Sequence, residues 1–111
     1  MPQVPHKPLE VPLAIRFDYP REVIDSYQPE INLGDKEAAK LGISFLCNDI
    51  SKDPYTTFKL SFLSQLLLEG PSSPMFKLLI ESGLAPGYCP GYGYDTTLRE
   101  CLLTIGVQNI E

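Results

Sequence analysis

His6 is the only histidine among 111 residues, which narrows the chemistry this chain can do. Zinc sites of the HxxEH and HExxH kinds need two histidines at fixed spacing, and neither can be assembled here. His6 sits among prolines and reads as an exposed, non-catalytic residue. A serine nucleophile has no more support: GxSxG does not occur, and Ser61 and Ser64 fall inside a helical run with no histidine nearby in sequence. Asp95 and Glu100 are carboxylates that acid–base chemistry would need as a pair. Five residues apart on a strand, they would point to opposite faces unless a bulge or turn intervened, so together with Arg99 they read as solvent-exposed charge. The stretch APGYCPGYGYD contains neither GxGxxG nor GxxxxGK[ST], which leaves a nucleotide site without a cradle. Its tyrosines, Tyr88, Tyr92 and Tyr94, form the most distinctive polar-aromatic cluster. They could touch a peptide or a partner domain, or pack over a sheet edge.

Charge and composition restrict the partners. Nine Lys plus Arg stand against fourteen Asp plus Glu, for a formal charge of -5. The basic residues are scattered, so a role on nucleic acid or an anionic membrane surface is disfavoured. The acidity reads as a solubilising surface, with a cationic peptide as the other candidate. Cys47, Cys89 and Cys101 are odd in number and lack CxxC spacing, which fits free thiols in a reducing, non-secreted setting. Cys47 and Cys101 lie in apolar, strand-like runs and read as small buried hydrophobes. No run approaches the apolar length of a transmembrane helix, and no secretory signal pattern opens the chain.

The elements that would position these residues come next. Six prolines, at 2, 5, 8, 12, 20 and 29, make residues 1–35 an irregular or linker segment, with at most a short regular piece at Leu13 to Phe17 or Arg21 to Tyr27. From residue 36 onward the pattern is that of an α+β domain. Leu41, Ile43, Phe45 and Cys47 alternate with Gly42, Ser44 and Leu46, as in a half-buried or central strand. Asp53-Pro54 supplies an N-cap and a first-turn proline for a long helix. Tyr55, Phe58, Phe62 and Leu66, widened by Leu63 and Leu67, predict that this helix buries a broad face, and Gly70-Pro71 ends it. Ser73, Pro74 and Gly83 bracket a shorter helix with an apolar face of Met75, Phe76, Leu79 and Ile80. Ala85 to Asp95 is expected to be a loop. Thr96 to Ile110 reads as a closing strand, with Cys101, Leu103, Ile105 and Val107 on one face.

The run TTFKLSFLSQLLLEGPSSPMFKLLIESGLAPGYCPGYGYDTTLRECLLTIGVQNI resembles the second domain of the pitrilysin-like zinc metallopeptidases, in the branch of presequence proteases and falcilysin. Its most specific part is GPSSPMFKLLIESGL, where helix stop, proline-started helix and glycine terminator occur in the family's order. The likeness covers roughly Leu41 to Ile110. It implies a partial α+β, metallopeptidase-like domain with antiparallel strands packed by a long and a short helix. It also implies a large parent enzyme that encloses and degrades unfolded peptides such as presequences. The parent's zinc would be held by an HxxEH motif in another domain, with none bound by this chain. Arg99 and the local tyrosines therefore take no catalytic role, and the expected partners are the parent's remaining domains and its peptide substrates. A mitochondrial matrix or other organelle lumen follows from the same resemblance. A non-catalytic peptide- or protein-binding module built on the Gly-Tyr loop is the alternative.

Overall fold

A computed structural model describes residues 5, 9–27 and 39–110. The expected features of His6 lie outside these residues. Four strands and two helical segments follow in order: β1 (Ala39–Asp49), α1 (Pro54–Leu68), α2 (Pro74–Phe76) running on into a π-helical turn (Lys77–Glu81), β2 (Gly87–Tyr88), β3 (Gly93–Asp95) and β4 (Glu100–Ile110). All pairings are antiparallel and all involve β4, which bonds β1 along one side and the short β2 and β3 along the other. The α+β class anticipated from the sequence is thus present. Residues 9–27 carry no regular structure, so neither short piece expected there forms.

Two corrections concern the strands. The closing segment is the central strand of the sheet, and β1, expected to be central or half-buried, is an edge. Leu41, Ile43 and Phe45 on β1 remain 52–63% exposed. They pair with Val107, Ile105 and Leu103, yet α1 packs mainly against β3 and touches β1 only slightly, which leaves them uncovered. Alternation fixes which side chains share a face but says nothing of what lies on it. The expected loop also contains β2 and β3, whose two and three residues are too few to show a period.

The larger correction is the orientation of α1. Its start is as anticipated: the Asp53 carboxylate accepts from the Thr56 amide at 3.0 Å, and Pro54 occupies the first turn. The sheet-facing residues, however, are Thr57, Ser64 and Leu68. Tyr55, Phe58, Phe62 and Leu66 lie on the opposite side, 57–71% exposed. A helix apolar nearly all round can turn either side inward, and polar contacts choose here. Asn48 Nδ2 donates to Thr57 Oγ1 at 2.7 Å, and Ser64 Oγ comes within 3.5 Å of where a Cβ on Gly93 would sit. Small residues thus bring the helix close to β3, and the bulky stripe is left outside.

The second helical segment keeps its anticipated apolar face, with Met75, Phe76, Leu79 and Ile80 half-buried, and Gly83 ends it at φ 82°. Ser73 does not cap it; its hydroxyl donates back to the Gly70 carbonyl at 2.9 Å. Among the described residues, the buried apolar ones are few: Leu68, Ala85, Cys89, Cys101 and Val107. Cys101 is buried as expected, whereas Cys47 is only half-buried. Among the described residues, Leu9, Ile15, Ile24 and Leu78 stay 65–95% exposed. Much of the chain's apolar surface is left in water.

Two substitutions on α1 test this orientation by urea unfolding. Leu68→Ala is expected to cost about 2–5 kcal/mol, while Phe62→Ala should stay within about 0.5 kcal/mol of the parent chain. The reverse ranking would mean that the apolar stripe faces the sheet.

Candidate functional site

The tyrosine cluster is held from three directions. Tyr88 extends from β2 and Tyr94 from β3, each beside β4, and Tyr92 lies on the turn between them. Tyr88 and Tyr92 stack with ring centroids 4.6 Å apart, and Phe76 meets Tyr88 edge-on at 6.5 Å. Tyr92 Oη donates to Glu69 Oε1 at 3.3 Å, joining the cluster to the end of α1. Tyr88 Oη is buried without a hydrogen-bond partner among the described residues. Tyr94 points elsewhere: its hydroxyl donates to Asn48 Oδ1. The same Asn48 donates to the Asp53 carbonyl at 2.9 Å and to Thr57. Tyr94, Asn48 and Thr57 thereby lock β3, β1 and α1 together. Tyr92 and Tyr94 hydrogen-bond within the chain, Tyr88 is held by ring contacts, and Tyr92 keeps the most exposed ring of the three.

The phenols titrate above their ordinary range. Burial is the main cause for all three, reinforced by the Glu69 charge at Tyr92 and by the Cys101 thiol at Tyr94; at Tyr88, Ser73 pulls weakly the other way. Three carboxylates are shifted down. Asp49 is lowered chiefly by the Ser51 hydroxyl, with Arg99 adding to it; Asp53 is lowered by Thr56, and Asp95 by Thr97.

The charged residues singled out as an acid–base pair do not meet. Asp95 accepts from the amide and hydroxyl of Thr97, at 2.9 and 2.7 Å. Glu100 instead accepts from the Ala14 amide at 2.5 Å and pairs with Arg16 at 3.1 Å. Its side chain is only 9% exposed, so the reading of Glu100 as solvent-exposed charge is corrected. Arg16 also donates to the carbonyls of Leu46 and Cys47. Arg99 pairs with Asp49 at 3.1 Å and donates to the Val11 carbonyl. The two arginines fasten the irregular N-terminal stretch to the end of the sheet. Arg16, Asn48 and Glu69 were not singled out from the sequence: each acts through a contact 23 to 84 residues away. 

The separations are 23 residues for Glu69 with Tyr92, 46 for Asn48 with Tyr94 and 84 for Arg16 with Glu100. No local pattern marks such pairs.

Among the described residues, no group of three or more His, Cys, Asp or Glu is placed to hold a metal ion. The donor set that zinc needs is therefore not offered by these residues. Nor is any described helix long and apolar enough to cross a membrane. Fold and site together define an α+β module in which Arg16, Asn48, Tyr92, Tyr94 and Arg99 bond to other parts of the chain. The chain belongs to the peptidase M16 inactive domain family, whose model matches residues 2–109. That match takes in the proline-rich stretch as well as the region from Leu41 onward. The chain is 40% identical over 102 residues to a mitochondrial presequence protease of Mus musculus, covering 90% of the chain and 10% of that protein. With the protein of the same name from Schizosaccharomyces pombe it shares 38% identity over 92 residues, 83% of the chain and 9% of the relative. It thus spans about a tenth of the length of the relatives it matches.

The shifted groups set a pH window. Carboxylates lowered from 3.8 contribute stability that is present above that value and lost as pH falls through their folded pKa values. Phenols raised from 10.0 contribute stability that is complete below that value and lost as pH rises through theirs. The urea midpoint should be flat between these limits and fall beyond each, and Tyr94→Phe should weaken the alkaline fall. An alkaline limb unchanged in that variant would show that Tyr94 does not carry it.

Proposed function

We propose that this chain is a non-catalytic piece of a zinc metalloendopeptidase that degrades presequences and other unfolded peptides, and that it contributes chamber wall to that enzyme. The observation that carries this reading is the outward stripe of Tyr55, Phe58, Phe62 and Leu66, on a chain about a tenth as long as its relatives. A stripe this apolar on the solvent side of a helix is a surface prepared for further protein. The uncovered face of β1 is a second such surface. The remaining domains of the parent are the partners proposed for both. In this scheme residues 1–35 form an irregular connecting segment and 36–111 a partial domain. Tyr92, with its exposed ring, is the leading candidate among Tyr88, Tyr92 and Tyr94 for contact with a neighbouring domain or a peptide. The mitochondrial matrix is the proposed location, in keeping with the names of the relatives.

Incubation of the purified chain with zinc and an unstructured peptide tests the reading. No cleavage above that of a mock purification is expected, because the histidine pair of the zinc motif is missing. Cleavage that tracks the purified chain and is abolished by a chelator would overturn it. Calorimetric titration with the same peptide separates the alternative: saturable binding without hydrolysis, lost in Tyr92→Ala, would favour an autonomous binding module.

A further inference from the structure

We infer that Cys47 and Cys101 form an oxidisable cross-strand pair, a site of reversible disulfide formation built into the irregularity between β1 and β4. Between the pairs Leu46 with Leu102 and Asp49 with Glu100, β1 carries Cys47 and Asn48 where β4 carries Cys101 alone. Two residues against one is a β-bulge, and it sets Cys47 beside Cys101 on adjacent strands. Opposed Cα atoms of antiparallel strands lie roughly 4.5–5.5 Å apart, inside the span of about 4.4–6.8 Å that a disulfide bridges. Leu41, Ile43 and Phe45 oppose Val107, Ile105 and Leu103, and the same alternation continues to Cys47 on β1 and Cys101 on β4. The two cysteines therefore converge on the same side of the sheet.

Cys89 is placed differently. Its Sγ lies 3.8 Å from where a Cβ on Gly42 would sit and 2.6 Å from the corresponding point on Gly106. Gly106 is five residues from Cys101 along β4, so strand alternation turns the two to opposite faces. All three cysteines are free thiols in the structure. Cys47 is half-buried and Cys101 fully buried, which fixes the order of events. With glutathione disulfide as oxidant, the Cys47 thiolate attacks one glutathione sulfur and expels a glutathione thiolate, leaving a mixed disulfide. The Cys101 thiolate then attacks the Cys47 sulfur and expels the second glutathione. Two electrons pass from the protein to the oxidant, and the two thiol protons end on two molecules of glutathione.

The experiment is to treat the purified full chain with glutathione disulfide in buffer and in urea, then map crosslinks by non-reducing digestion and mass spectrometry. In buffer the free-thiol count should fall from three to one, with Cys47–Cys101 as the predominant bond, reversed by dithiothreitol. Cys101→Ser should halt at a glutathione adduct on Cys47. In urea the shorter loop favours Cys89–Cys101 instead, so the native pattern reports the folded register. Predominance of Cys89–Cys101 in buffer, glutathione adducts without the Cys47–Cys101 bond, or no reaction would each overturn the inference.

Discussion

The ladder between β1 and β4 leaves no space at Gly106. A Cβ there would lie 2.5 Å from the Leu41 carbonyl oxygen and 2.8 Å from the Gly42 Cα, while the Cys89 sulfur closes the third side. Two of these neighbours are backbone and cannot rotate away, so glycine is a condition of the ladder itself. From that contact the other strands follow: β2 brings Gly87 and Tyr88 opposite Gln108 and Val107, and β3 brings Gly93 opposite Thr104. The Cys89 amide also bonds the Gly106 carbonyl at 2.9 Å. The position that fixes the edge strand thus also seats the turn carrying the tyrosines.

Polar contacts decide how the helical layer meets this sheet. Hydrophobic burial alone would favour turning Phe58 and Phe62 inward, since each aromatic ring covers more area than a threonine or a serine. The observed arrangement gives up that gain on α1 and satisfies Asn48, Thr57, Tyr94 and the Asp53 carbonyl in one connected set. Leaving those groups buried and unpaired would cost more than one aromatic face contributes only if several went unsatisfied together, which is what reversal of the helix would do. In a longer polypeptide both demands can be met at once, with the polar side on the sheet and the aromatic side against a neighbour. Membership of the peptidase M16 inactive domain family, with relatives about ten times as long, fits a chain with two apolar surfaces and one small core.

What could be read from the sequence was local. Asp53-Pro54 marked the start of α1, Gly83 marked the end of the second helical segment, and the Cys101–Val107 alternation picked out Cys101 and Val107, which are buried on β4. Each depends on residues within a few positions of one another. The edge position of β1 was not legible, because Leu41, Ile43 and Phe45 show the same period whether or not anything lies over them. The inner side of α1 was hidden for a related reason: a helix apolar all round carries no stripe to orient it. Glu100 was misread because its partner, Arg16, stands 84 residues earlier. The tyrosines were recognised as a cluster, but their division into a stacked pair and a separate link to Asn48 depends on how β2 and β3 meet β4.

The topology also has a consequence for the order in which the molecule can form. Every strand pairs with β4, and β4 is the last of the described elements in chain order. Until Ile110 has emerged, β1 has no partner among the described strands, and its Leu41, Ile43 and Phe45 travel unpaired beside an equally apolar helix. Sheets built from such distant contacts form slowly and expose their edges meanwhile. A nascent chain of this design depends on being shielded during synthesis, and it would be most prone to aggregate when translation stalls between α1 and β4.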